Sequence, residues 1–249
     1  TVPGERYGLV MPLAKSEHTS VCLLGYYWSG EDVFIDSNNR PQFVNDTSIR
    51  LFNLIKGMYD DKSIPEEALT MTYDDAERLF DNGMAAMLQH GSWLCTGWEV
   101  RAPEIADDIA VAPLPAHPVT GQSSQNAGGW AYAVTTKDTS KYEAAAEWLK
   151  IMLIEDETTK KRIAEAGEIP VTKSLADKID WLPEKYGDII ASMLPTSKTR
   201  PIVEIYPDGS LEYVQALQEV LTGGKDPETA LKDAADRIEK LARESGWLE

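Results

Sequence analysis

The sequence predicts an α/β fold, in which short buried strands alternate with helices and the chain ends in two helices. Brief apolar runs alternate with segments whose apolar residues recur at helical spacing. Prolines and glycines close the apolar runs, as expected at strand ends. With 43% hydrophobic and 26% charged residues, the 249-residue chain can bury a sizeable core.

The first part of the chain predicts a strand, a helix, a hairpin and a second helix. Residues 7–12 read as a buried strand closed by proline, and residues 19–28 as a buried helix. The turn-rich stretch inside residues 33–44 predicts a small β-hairpin at the surface. Helical spacing over residues 51–58 predicts the next helix. Its candidate N-caps are Asp46, Thr47 and Ser48.

A third helix is predicted over residues 73–82, because acidic residues open it and Gly83 can take the left-handed conformation that ends it. Residues 84–88 then read as a core strand. This strand leaves Ser92 and Trp93 near its carboxyl end, where open sheets usually bind ligands.

The middle of the chain predicts two further strands, at residues 109–112 and 130–134, separated by an exposed loop at residues 121–127. A helix should follow over residues 142–153. We expect the last two helices, which the Gly223-Gly224 pair separates, to pack antiparallel; Asp226 should cap the second.

Charge and composition exclude several classes of partner. The net charge of −17 repels phosphate backbones and anionic lipid, so neither nucleic acid nor a membrane surface is expected to bind. No stretch approaches a membrane span, and residues 1–6 do not read as an export signal. Cys22 and Cys95 either pair in an oxidising compartment or are buried as small apolar residues.

Neither a metal site nor a cofactor site is indicated. His18, His90 and His117 lie in different settings, and no HxxxH or CxxC spacing is present. Signatures of acyl transfer, phosphoryl transfer and dinucleotide binding are also missing. The 41 acidic residues offer many carboxylate pairs, so glycoside hydrolysis stays open but unsupported.

Aromatic residues beside glycine in loops are the most informative local feature. They occur as Tyr27-Trp28-Ser29-Gly30, Gly91-Ser92-Trp93 and Gly128-Gly129-Trp130. An indole face can stack on the C–H groups of a pyranose ring, although each of these rings can equally pack in a core. The other tryptophans are predicted to be structural; they are Trp98, Trp148, Trp181 and Trp247.

The order of several separated motifs resembles family 1 extracellular solute-binding proteins, the group that contains maltose-binding protein. The matching motifs are WSGEDVF at 28–34, FDNGMAAM at 80–87, GSW at 91–93, APLP at 112–115, GGWAYAV at 128–134, YEAAAEWL at 142–149 and Thr199-Arg200-Pro201. Family members are longer and begin with a signal and an N-terminal lobe. The resemblance therefore implies a C-terminal fragment that lacks most of that lobe.

The resemblance implies a periplasmic-binding-protein-like fold of type II, whose two lobes close on ligand by a hinge. Residues 1–112 would form the first part of the C-terminal lobe, and residues 172–249 its helical second part. Residues 113–171 would contain the hinge crossing and a segment of the N-terminal lobe.

Residue roles follow from the same resemblance. Trp93 would stack on a sugar beside Ser92, Gly128 and Gly129 would present backbone amides next to Trp130, and Arg200 would donate a forked pair of hydrogen bonds. Trp28 or Tyr27 would complete the wall of the cleft.

The implied function is that of a non-enzymatic, extracytoplasmic binding component that delivers a mono- or oligosaccharide to the membrane permease of an ABC transporter. The full-length protein is expected to be a monomer, either periplasmic or anchored to the cell surface by lipid. A carbohydrate-active enzyme and a surface adhesin are the competing interpretations, and the sequence leaves the sugar open.

Overall fold

The computed structural model describes residues 6–154, 156–169, 182 and 184–248. Its helices are α1 (Glu17–Gly30), α2 (Asp46–Asp60), α3 (Tyr73–Asp81), α4 (Trp98–Arg101), α5 (Tyr142–Leu153), α6 (Asp156–Ala166), α7 (Glu184–Met193), α8 (Tyr206–Leu221) and α9 (Pro227–Glu244). Its strands are β1 (Tyr7–Val10), β2 (Ala85–Leu88), β3 (Gln125–Ala127) and β4 (Ser197–Thr199). The predicted mixture of helices and short strands is confirmed.

The chain divides into two compact units. The first contains Thr1–His90, Pro113–Ala127 and Pro195–Glu249, and the second contains Gly91–Ala112 and Gly128–Leu194. These units are defined by contacts within this chain, and they do not test which residues belong to which lobe of a longer protein. The lobe division at residues 112 and 171 therefore stays a prediction.

Two parallel strand pairs lie in the first unit. β1 pairs with β2 in the register Tyr7↔Ala85 and Val10↔Leu88, and β3 pairs with β4 in the register Gln125↔Ser197. Parallel pairing brings the carboxyl ends of two strands to the same edge. The loops that follow β1 and β2 therefore meet at one edge.

The core of the first unit is built around the aromatic ring of Tyr213 on α8. Phe34 and Phe43 contact this ring with centroids 5.0 Å apart, and Phe52 of α2 lies at the same distance. The Tyr213 hydroxyl is buried and shares a 2.9 Å hydrogen bond with the Ser48 hydroxyl. The predicted helices over 19–28, 51–58 and 73–82 and the two C-terminal helices are all present.

Local capping explains where several helices begin. Thr72 and Asp75 form a capping box at the start of α3, and Asp226 accepts a hydrogen bond from Thr229 N at the start of α9, as predicted. The cap of α2 is Asn45, whose side chain accepts from Ser48 N. The predicted cap at 46–48 is therefore wrong by at least one residue.

Other expectations from the sequence are wrong. The hairpin predicted at residues 33–44 is present in reduced form, with the antiparallel bridge Ile35↔Pro41 and Gln42 N donating to Phe34 O at 2.9 Å. Its predicted surface position is wrong, since Phe34 and Phe43 are buried. The predicted loop at 121–127 ends in β3, because these residues pair with β4. β2 is not a core strand throughout, since Met87 is 58% exposed.

The second unit is helical among its described residues. Residues 109–112 and 130–134 form no strand there, because neither segment pairs with a neighbouring backbone in the described structure. Trp98 is buried against Tyr186, with ring centroids 5.5 Å apart, and the hydroxyl of Tyr186 donates to Ile109 O. Trp98 is thus structural, as predicted.

The remaining tryptophans and the cysteines complete the comparison. Trp148 and Trp247 are exposed by 51% and 40%, so they are not core residues here, and Trp181 lies outside the described residues. Cys22 and Cys95 are buried and form no disulfide. Within the described structure, no helix has both the length and the apolar character needed to span a bilayer.

Candidate functional site

The carboxyl edge of the β1–β2 pair positions the strongest candidate site. α1 begins shortly after β1 on this edge, and His90 follows β2. Gln89, the residue after β2, joins β1 and α1 at this edge, since its backbone N–H donates to Val10 O at 3.1 Å and its side-chain amide donates to Cys22 O at 2.7 Å. Ligands of open α/β sheets usually bind outside this kind of edge.

Glu17, the first residue of α1, is the centre of a polar network. Its Oε1 accepts from Arg200 Nη1 and from the Tyr206 hydroxyl, each at 2.8 Å, and its Oε2 accepts from the Ser210 hydroxyl at 2.8 Å. A carboxylate at this end of a helix is also favoured by the helix dipole. The network ties α1 to the residue that follows β4 and to the start of α8.

Electrostatics keeps the donors of this network protonated. The hydrogen bond to Glu17 raises the pKa of Arg200 further above its ordinary value. Burial raises the pKa of Tyr206, and the Glu17 carboxylate raises it further. The pair therefore places one positive and one negative charge in direct contact, with a phenol hydroxyl beside them.

The Tyr73 ring contacts two histidine rings next to this network. Tyr73, the first residue of α3, stacks on His18 with centroids 4.4 Å apart and an interplanar angle of 21°. It also contacts the His90 ring at 4.4 Å. The capping box of Thr72 and Asp75 fixes the start of α3, and hence the position of Tyr73. Burial raises the pKa of Tyr73, so its hydroxyl stays protonated.

We call this group of residues the α1 entry cluster; its members are Glu17, His18, Tyr73, His90, Arg200 and Tyr206. The cluster combines a fixed acceptor, several N–H and O–H donors and ring faces at a sheet edge. Such a set can hydrogen-bond hydroxyl groups and stack on an apolar face of the same ligand. Among the described residues, His, Cys, Asp and Glu form no group of three arranged to hold a metal ion.

Of the residues predicted as ligand contacts, only Arg200 lies in this cluster. Trp28 lies eleven residues after Glu17 on α1, which corresponds to roughly 16 Å along the helix axis. Tyr27 is fully buried, and its hydroxyl donates to Val33 O at 2.8 Å and accepts from the Asn45 side chain at 2.9 Å. The ligand roles of Tyr27 and Trp28 stay predictions.

Trp28 borders a separate polar cavity at the carboxyl end of α1. This cavity has a volume of about 430 Å³ and is also lined by Glu31, Asp32, Gln42 and Thr120. The Trp28 side chain is only 3% exposed, so most of the indole packs into the core and little of it faces the cavity.

The other predicted contacts lie in the second unit. Ser92 and Trp93 belong to a short 3-10 turn, Ser92–Cys95, in which Trp93 is 44% exposed while Leu94 and Cys95 are buried. Gly128 and Gly129 are exposed, and Trp130 is 87% exposed. Their predicted roles in ligand binding are not tested by these positions.

Sequence reasoning missed five members of the cluster, although a signal for them exists. Glu17 and His18 follow the first predicted strand after four residues, and Tyr73 opens a predicted helix. Ligands usually lie beyond strand carboxyl ends, and this rule points to the residues after β1 as much as to Trp93. His90 stands outside any motif, and Tyr206 carries no local pattern that separates it from a core tyrosine.

Comparison with known proteins gives relatives along nearly the whole chain. The galactooligosaccharide-binding protein of Bacillus subtilis is 25% identical over 243 residues, which are 95% of this chain and 56% of that protein. The arabinooligosaccharide-binding protein of the same organism is 27% identical over 139 residues, 55% of this chain and 32% of that protein. The chain thus spans little more than half the length of such relatives.

Solved structures show the same fold. The maltose-bound MalE3 protein of T. maritima superposes with a TM-score of 0.83 at 23% identity, covering 95% of this chain and 61% of that one. The sugar-binding protein MalE of Xanthomonas citri gives 0.78 at 20% identity, covering 99% and 60%. The predicted periplasmic-binding-protein fold of type II is thereby confirmed.

The family comparison agrees with the resemblance seen in the sequence. A family model described as bacterial extracellular solute-binding protein matches residues 3–186, which is more than half of the chain. The proteins of this family are binding proteins, and not enzymes. The chain belongs to the bacterial extracellular solute-binding protein family.

Proposed function

We propose that this chain is part of an extracytoplasmic binding protein that captures a carbohydrate and delivers it to the membrane permease of an ABC transporter. The α1 entry cluster is the observation that carries the proposal. Its Glu17 carboxylate accepts hydrogen bonds, and the exposed His18 ring can donate to a sugar hydroxyl or accept from one. The same exposed ring offers a flat face for stacking, and Tyr73, whose ring stacks on it at 4.4 Å, holds it in place.

The charge balance of the cluster favours an uncharged ligand. Arg200 is already paired with Glu17 at 2.8 Å, and each side chain retains about a third of its exposed surface. A negatively charged ligand would have to compete with this carboxylate for Arg200, while the hydroxyls of a neutral sugar can add to the network without displacing it.

Trp93 contributes to the proposal through the resemblance and its own exposure. An indole that is 44% exposed in a turn whose next two residues are buried is a fixed aromatic surface of the kind on which pyranose rings stack. Ser92, Gly128, Gly129 and Trp130 remain proposed contacts on the resemblance alone.

The relatives support the class of ligand and the location. The names of two relatives record galactooligosaccharide and arabinooligosaccharide binding, and one solved neighbour holds maltose. The family is extracellular, which agrees with a periplasmic or lipid-anchored protein. Membership of the same family supports a binding role without catalysis, and an ABC permease would be the membrane partner.

Titration of the chain with neutral mono- and oligosaccharides tests the proposal. Saturation-transfer NMR detects weak binding, calorimetry gives the affinity, and chromatography of the recovered sugar reports any cleavage. We expect at least one sugar to bind saturably and to be recovered intact. His18→Ala should weaken binding by about five- to tenfold, the equivalent of one lost contact of about 1 kcal/mol.

Trp148→Ala is the control, because Trp148 is an exposed aromatic residue that is not among the proposed ligand contacts. It should leave the affinity unchanged. Recovery of shortened sugar would favour a carbohydrate-active enzyme. The lack of saturable binding across the whole panel would favour an adhesin and would contradict the proposal.

A further inference from the structure

The Trp93 ring packs directly on the α-carbon of Gly91. A Cβ placed on Gly91 would lie 2.0 Å from Trp93 Cζ3 and 2.2 Å from its Cη2. Non-bonded carbons approach no closer than about 3.5 Å without repulsion. If residue 91 carried a methyl group, the Trp93 ring could therefore not occupy its observed position. The backbone of Gly91 is extended, with φ −96° and ψ 162°, which any residue can adopt. The three atoms nearest to such a Cβ all belong to the Trp93 ring, so the lack of a side chain matters first for the ring.

The Trp93 backbone packs on a second glycine. Gly167 follows the last residue of α6 with φ +64°, and a Cβ there would lie 2.5 Å from Trp93 O and 2.8 Å from its Cα. The next residue closes the helix, since Glu168 N donates to Ile163 O at 3.2 Å. Ile163 is buried, so the end of α6 is anchored in the second unit.

These contacts hold Trp93 from two directions while the residue stays 44% exposed. An aromatic residue that is fixed before the ligand arrives loses little conformational entropy on binding. We propose that Gly91 and Gly167 are positioning residues that hold the Trp93 indole in the orientation that stacks on a pyranose ring. This inference rests on the proposed sugar-binding function.

Gly91→Ala is the sharpest test, because the atoms it displaces are the far end of one side chain and the backbone needs no change. The chain is labelled with 5-fluorotryptophan, and its seven tryptophans give separate fluorine signals. Trp93→Phe identifies the Trp93 signal by its loss. We expect Gly91→Ala to shift this signal, to leave the other signals and the urea midpoint unchanged, and to weaken sugar binding about three- to tenfold.

Two further substitutions separate the contact from other effects of adding a methyl group. Gly57→Ala adds it where nothing lies within 4 Å, and it should change neither the Trp93 signal nor the affinity. Gly167→Ala should shift the Trp93 signal and lower stability. Gly223 also has a positive φ, +76°, so Gly223→Ala strains the backbone much as Gly167→Ala does, but no atom lies within 4 Å of the added methyl group. It should leave the Trp93 signal in place.

An unshifted Trp93 signal in Gly91→Ala would overturn the inference whether or not a sugar binds. A shifted Trp93 signal with unchanged sugar affinity would show that the glycines hold the ring but that its orientation does not affect ligand binding. This result would also overturn the inference. If the unsubstituted chain binds no sugar, the proposed function fails and the positioning role in binding fails with it. Normal binding by the unsubstituted chain and by Gly91→Ala would contradict the positioning role alone.

Discussion

Replacing Glu17 by glutamine should loosen the first unit around α1. The carboxylate accepts from Arg200, Tyr206 and Ser210, three residues that are distant in sequence. Glutamine has nearly the same shape but carries no charge, and one of its two terminal atoms is a donor. Ser210 can adapt, because its hydroxyl is also 3.1 Å from Pro207 O and can donate there.

The size of the effect follows from the hydrogen bonds that lose a charged partner. A hydrogen bond to a charged group contributes about 1.5–3 kcal/mol net and a neutral one about 1 kcal/mol. Two bonds to Oε1 weaken by about 1 kcal/mol each on this scale. The Arg200 pair is about one third exposed, so solvent screening reduces its share. We expect a loss of about 1–2 kcal/mol in the opening free energy of the first unit.

Native-state hydrogen exchange suits this measurement because it reports α1 and α8 separately from the second unit. A loss of 1–2 kcal/mol lowers the protection of the most stable α1 amides by roughly 5- to 30-fold. Glu31→Gln, at the exposed carboxyl end of the same helix, is the control and should leave these amides nearly unchanged. Equal, small changes in both variants would refute the role assigned to Glu17.

Three other predictions concern buried groups and caps. Burial raises the pKa of Cys22 to about 12, from 9.0 for an ordinary thiol, so the folded chain holds this proton more tightly than the unfolded chain. The free energy of unfolding therefore falls as the pH rises from 9 towards 12, by up to about 1.4 kcal/mol per pH unit. In urea titrations, Cys22→Ala should lose less stability between pH 8 and pH 10 than the unsubstituted chain. Equal losses would contradict the raised pKa of Cys22. Tyr213→Phe leaves the buried Ser48 hydroxyl without its partner and should cost about 1–3 kcal/mol in urea unfolding; adding Ser48→Ala should cost little more, whereas additive costs would argue against the hydrogen bond. Asn45→Ala should lower protection of the first turn of α2 by about 1 kcal/mol, and a larger effect from Asp46→Ala would move the cap back to the position predicted from the sequence.

Elements with local signals could be predicted from the sequence. Asp226 and Pro227 start α9 as expected, because the N-cap and the first-turn proline act within one turn. The end of α3 was likewise predicted from Gly83, which has φ +69°. Such contacts span a few residues, so a single sequence contains all the information they need.

Elements that depend on a distant partner were predicted poorly. Residues 130–134 alternate like a strand, but a strand also needs a neighbouring backbone, and alternation does not reveal one. The sequence Gln-Asn-Ala of β3 is typical of a loop, and these residues form a strand only because they pair with β4. The local sequence therefore does not predict β3. In the candidate site, Arg200 was predicted, but its contact with Glu17 joins residues 183 positions apart and no local pattern shows it.

The imidazole signals of the three histidines provide the most direct test of the central claim that the α1 entry cluster binds sugar. His18 and His90 flank Tyr73 in the cluster, while His117 belongs to the loop near Gly30, at the other end of α1. In an NMR titration of the 15N-histidine-labelled chain with a sugar that binds, His18 and His90 should shift saturably with one dissociation constant, and His117 should not move. Saturable binding that leaves His18 and His90 unchanged would contradict the account.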